Sequence, residues 1–211
     1  MDKPNFYRAK LKAYETLIKQ KSFSFPIEPR KLKLDSYNII VISLQEYSRI
    51  TGISIEQLTL NGSFNDGYTY FKNNTAYIFY NDDIETEGRK LWTISHEIGH
   101  IVLEHTTQCE KNEQEANFFA SQILAPQCVL KQLIKNGAKV TSDYLSSKFK
   151  ISKEASDNCI STLSKVIDNE HIITEYDDII VNLFKPYISS DYSLDSYFDE
   201  LEEILIMADI G

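Results

Sequence analysis

The chain has 211 residues, 42% of them hydrophobic and 25% charged. Those proportions belong to a globular protein and exclude a wholly disordered or fibrous one. Residues 1–165 hold 21 basic and 19 acidic groups and residues 166–211 hold 1 and 12, so a neutral body precedes a strongly acidic end, and direct DNA binding, which needs a positive field, is disfavoured.

Tyr7, Leu11, Tyr14 and Leu17 recur at helical spacing and predict a helix over residues 5–20. Pro26 and Pro29 break the chain after it. Residues 38–43, with Ile39-Ile40-Val41-Ile42 at their centre, read as a buried strand. Short helices around Gly52 are expected over 44–60. Residues 68–71 and 75–80 read as a hairpin closed by Lys72-Asn73-Asn74. Helices are then predicted over 85–105 and about 112–124, the second punctuated by Pro126. Residues 127–165 read as helices with two breaks, and residues 141–149, a turn at Ile151-Ser152 and residues 153–166 resemble a helix-turn-helix in outline. Leu194, Tyr197, Leu201 and Ile204 keep helical spacing near the end.

No apolar run approaches a membrane span, and no apolar stretch follows Lys3, Arg8, Lys10 and Lys12, so neither a membrane partner nor a signal peptide is expected. Cys109, Cys128 and Cys159 are odd in number and widely spaced, which predicts reduced thiols in the cytoplasm.

The informative stretch is His96-Glu97-Ile98-Gly99-His100, an H-E-x-x-H inside a helical segment. Chance would give about 0.006 such matches in a chain of this composition. Residues four apart share one helix face, so both imidazoles can bind one Zn²⁺. Glu97, one residue on, can reach water at the metal and serve as general base. His105 falls half a turn off that face and reads as a supporting, capping or core residue. A third protein ligand is still needed. A turn near Thr106-Thr107 returns the next helix so that residue 115 or so stands level with residue 98, which favours Glu115. Periodicity alone does not exclude Glu113.

These segments resemble the ImmA/IrrE family of metallo-endopeptidases. The likeness rests on His96-Glu97-x-Gly99-His100, Glu115-Ala116-Asn117-x-Phe119-Ala120 and Leu124-Ala125-Pro126, and Phe25-Pro26-Ile27-Glu28-Pro29 also resembles the family's N-terminal segment. It covers residues 25–126 well and 127–165 loosely. The resemblance implies zinc held by His96, His100 and Glu115, with Glu97 catalytic. It also implies a bacterial peptidase that cleaves a helix-turn-helix repressor, often of phage or mobile-element origin, and so relieves repression.

The expected fold is α+β: a mostly helical zincin-like core with a small three-stranded antiparallel or mixed sheet, plus C-terminal helices. The expected division is a metallopeptidase core over 1–126, a helix-turn-helix-like region over 127–166 and an acidic segment with an amphipathic helix over 167–211. Residues 75–80 are a candidate edge strand for an extended substrate. The rival reading is a non-cleaving antirepressor, or a DNA- or protein-binding regulatory module. Over residues 141–165, four lysines against three acidic residues make a poor phosphate footprint.

Overall fold

A computed structural model describes residues 3–60, 62, 66–84, 86–167 and 173–188. The fold is α+β, mostly helical with one small mixed sheet. The expected helix near residues 194–207 lies outside the described residues.

Helix α1 (Phe6–Ile18) starts where the Asn5 side chain accepts a hydrogen bond from the Arg8 N–H, a standard N-cap. Its buried stripe is Ala9, Ala13, Tyr14 and Leu17, which packs along α5 (Glu110–Leu124). Alongside α5 lies α4 (Glu87–Val102), capped by Thr86. These three helices build the middle of the core, where Ile94, Ile98, Phe119 and Ile123 are inaccessible to solvent.

The sheet packs beside α4. Its strands are β1 (Asn38–Ser43), β2 (Gly67–Lys72) and β3 (Thr75–Tyr80), in the order β1-β3-β2. β1 runs parallel to β3 and β2 antiparallel to it. Ala76 and Ile78 of β3 are fully buried. The candidate edge at residues 75–80 is therefore corrected, because β3 is the central strand. The edge facing the α4 motif belongs to β2, whose Thr69 reaches Glu97. The hairpin turn is two residues, Asn73-Asn74, rather than three. Asn73 takes a φ of 54°, a left-handed conformation that asparagine tolerates. Between β1 and β2 come α2 (Leu44–Thr51) and α3 (Ile55–Leu58), separated by Gly52 at φ 75°.

Beyond Pro126 the chain forms α6 (Gln127–Lys135), α7 (Ser142–Phe149) and α8 (Lys153–Ile167). The α7–α8 turn rests on the first turn of α4 at Gly88. A Cβ built there would stand 2.6 Å from the Ser152 nitrogen. Residues 177–188, inside the acidic end, form α9 (Asp177–Ile188), to which the sequence reading assigns no element of its own. Ile180, Phe184 and Ile188 of α9 are buried, and Phe184 meets Phe23 edge-on at 4.8 Å between ring centroids. The Lys10 ammonium, its side chain only 3% exposed, pairs with Asp177 at 2.8 Å and ties α9 to α1.

Candidate metal centre

The centre is assembled by α4 and α5. On α4, His96 and His100 are one turn apart and bring their Nε2 atoms to 2.9 Å. α5 approaches closely because residue 99 is glycine. A Cβ there would meet Phe119 Cδ1 at 3.1 Å and the Ala116 backbone at 3.2 Å. That approach delivers Glu113, one turn before Ala116. Its Oε2 lies 3.3 Å from His96 Nε2 and its Oε1 3.5 Å from His100 Nε2.

His96, His100 and Glu113 thus form a group able to hold a metal ion. Donors around a tetrahedral zinc, each about 2.0–2.1 Å from the ion, stand about 3.3 Å from one another. The observed separations bracket that value, and two imidazoles with one carboxylate suit zinc. Three protein donors leave one coordination position for the reaction.

The expected third ligand, Glu115, stands elsewhere. The α4–α5 loop is centred on residue 106, which returns residue 114 to the level of residue 98. Glu113 and Glu115 flank that level equally, so height cannot choose between them. The helix face chooses, since residues two apart point about 200° from one another. Glu113 faces the histidine pair. Glu115 is 2% exposed, accepts a hydrogen bond from the Asn5 N–H at 2.8 Å and lies 3.1 Å from His105 Nε2.

Both imidazoles are oriented from behind. His96 Nδ1 meets Asn117 Oδ1 at 2.9 Å, and that oxygen can only accept, so the His96 proton sits on Nδ1 and Nε2 is free to ligate. His100 Nδ1 meets His105 Nδ1 at 3.0 Å, and His105 continues to Glu115. A chain therefore runs from the metal group through His100 and His105 to Glu115 and the backbone of Asn5. Burial foremost, then the neighbouring His96 and His105, lowers the His100 pKa to about 3, so the ring is neutral as a ligand must be.

Glu97 lines the same cleft as the metal group, and its Oε2 accepts the Thr69 hydroxyl of β2 at 2.7 Å. Burial raises its pKa above the usual carboxylate value; the Thr69 bond and His96 pull against that rise, and Glu113 adds to it. A carboxyl tuned upwards in a cleft suits proton transfer near neutral pH. The cleft has a volume of about 550 Å³ and is lined by Thr69, Phe71, Trp92, Thr93 and Gln108 besides the site residues.

The structure therefore brings together His96, Glu97 and His100 of the sequence reading and sets Glu115 behind them. Thr69 and Asn117 were not foreseen as site residues. Asn117 carries a signal, since it lies four residues after Glu113 and shares its face. Thr69 lies 28 residues before Glu97 on another element and carries none.

Fold and site define a metallopeptidase-type centre, two helices crossing to set two histidines against a glutamate. The family model for the IrrE N-terminal-like domain, a peptidase family, matches residues 50–161. The chain belongs to that family. A comparison with curated proteins finds no match for it.

Proposed function

We propose that the protein is a zinc-dependent endopeptidase whose substrate is a helix-turn-helix transcriptional repressor. The observation that carries the catalytic part is the approach of Glu113 to the His96–His100 pair with the Glu97 carboxyl beside them. His96, His100 and Glu113 would hold the zinc. When bound, the ion supplies Lewis acidity towards a peptide carbonyl and towards water. Glu97 takes the proton of the attacking water and returns it to the leaving amine. Thr69 holds the Glu97 carboxyl in place through that exchange.

The β2 edge suits an extended substrate. In a hairpin closed by two residues, Lys72 and Thr75 exchange hydrogen bonds, and so do Tyr70 with Tyr77 and Tyr68 with Phe79. Gly67, Thr69 and Phe71 therefore turn their backbone groups outwards, next to Glu97. A substrate strand can add there through main-chain hydrogen bonds.

The repressor as target is supported by family membership. DNA binding by this chain is disfavoured by charge and by packing, since Ala155, Cys159 and Leu163 of α8 are buried against the body. No helix among the described residues is long and apolar enough to cross a membrane. Its three free cysteines fit a reducing cytoplasm as the place of action.

The test is to incubate zinc-loaded wild-type protein and Glu97→Gln with the repressor encoded beside it. Repressor fragments with wild type only are the expected result. Intact repressor that co-purifies with both proteins would overturn cleavage in favour of sequestration.

A further inference from the structure

A second cleft, of about 770 Å³, adjoins the first and is not used by the chemistry above. Asp66, Trp92, Thr93 and Asn117 line both, so the two clefts adjoin and share one wall. Asn117 is the residue that orients His96, which puts the second cleft one side chain from the metal group.

The deep part of this cleft is made by Phe118, Ala125, Gln127, Leu130 and Cys159, each no more than 9% exposed. The buried polar side chains of its lining are Thr93, Gln122 and Gln127. Among the described residues, Gln127 Oε1 is buried and meets no hydrogen-bond donor. Its neighbour Gln122 is differently placed: Gln122 Oε1 accepts from the Gln127 backbone N–H at 3.1 Å and from Tyr14 Oη at 3.2 Å. One buried acceptor without a donor thus belongs to a residue of this cleft's wall. Leaving such an atom unmade is costly, and a group that supplies a donor recovers the loss.

We propose that the second cleft is the selectivity pocket for a substrate side chain near the cleaved bond, taking a large apolar side chain with a hydroxyl or N–H at its tip, tyrosine above all. This inference rests on the peptidase reading for the identity of the ligand as a polypeptide. The occupant follows from three features: a wall shared with the reaction cleft, aromatic and aliphatic side chains in the lining that match a ring, and an unpartnered neutral acceptor on a wall residue that matches a single donor. α8 supplies Ala155, Asn158 and Cys159 to the same wall. The helix that would read DNA in a helix-turn-helix is here part of the substrate pocket.

Trp92 is the single tryptophan of the chain and lines both clefts, so its fluorescence reports what enters either. The experiment uses zinc-loaded Glu97→Gln protein, to prevent turnover. Blocked alanine pentapeptides carrying one tyrosine or one phenylalanine at each position in turn are titrated against Trp92 emission. At one position the tyrosine peptide is expected to bind about tenfold more tightly than the phenylalanine peptide. Adding Gln127→Met should erase that difference while sparing the phenylalanine peptide. Adding Asn158→Phe, at the exposed rim, should weaken both. Equal affinity of the two peptides at every position, or a tyrosine preference untouched by Gln127→Met and Asn158→Phe, would overturn the pocket. The peptidase reading fails separately, when wild type cleaves no peptide of the series or repressor whatever Trp92 reports.

Discussion

Glu115 Oε2 and His105 Nε2 lie 3.1 Å apart with their side chains 2% and 6% exposed, a buried contact behind the metal group. Through His105 the carboxylate acts on His100, and through Asn5 it is fixed to the start of α1. Such partners of a ligating histidine set its tautomer and basicity.

Glu115→Gln is therefore expected to lower zinc affinity by about 10–100-fold while leaving the three ligands in place. Glu113→Gln removes a ligand and should cost more. Competition with a chromophoric zinc chelator ranks the two. If Glu115→Gln proves the more damaging, Glu115 is the ligand and Glu113 is not.

Glu97→Gln should reduce peptide hydrolysis by about 10²–10⁴-fold with zinc content unchanged. Thr69→Val is subtler. The Thr69 hydroxyl stabilises the Glu97 carboxylate and so holds its pKa down against burial. Without that bond the pKa rises further, and the acid limb of the kcat/KM profile should move to higher pH. An unmoved limb would mean that another group sets it.

Two of the three thiols should be silent. Burial pushes Cys128 and Cys159 up to about 12, whereas Cys109 is exposed. At pH 8, iodoacetamide should modify Cys109 quickly and the others only on unfolding. The same shifts set an alkaline limit to stability. From the ordinary value of 9.0 up to about 12 the unfolded chain releases these protons and the folded chain keeps them. Their contribution is complete below pH 9 and is lost as pH rises through that window. Buried Tyr14, whose pKa burial also raises well above its ordinary value, acts in the same direction. Urea midpoints measured from pH 8 to pH 11 should fall, and fall less in Cys128→Ala.

Gly88→Ala places a methyl 2.6 Å from the Ser152 nitrogen and 2.8 Å from the Ile151 carbonyl carbon. Backbone rather than a flexible side chain must yield. We expect a loss of about 1–3 kcal/mol, measured by urea unfolding, with faster amide exchange across α7 and α8.

What the sequence revealed and what it hid divide along physical lines. The His96–His100 spacing is local, so a helix period sufficed to read it. β1 and the hairpin were legible because strand-forming residues are bounded by polar turns. Glu113 and Glu115 could not be separated by counting, because both stand one residue from the returning level and the rotation of α5 is fixed by tertiary packing, Gly99 on Ala116 and α1 along its other side. β3 looked like an edge because the order of strands in a sheet depends on a β1 that arrives from 37 residues earlier. α9 escaped because an acidic composition masked Ile180, Phe184 and Ile188, whose burial depends on partners in α1 and α6.

The Asn73-Asn74 turn carries a consequence well outside the hairpin. Strand side chains alternate between faces, so the count of residues in that turn decides whether position 69 presents its hydroxyl to Glu97 or to the opposite side of the sheet. Inserting one residue there, far from any ligand, would exchange Thr69 for a neighbouring tyrosine at the Glu97 carboxyl. On the proposed mechanism the length of a surface turn is thereby a determinant of acid–base chemistry, and an exposed loop is held to two residues by a glutamate on another element.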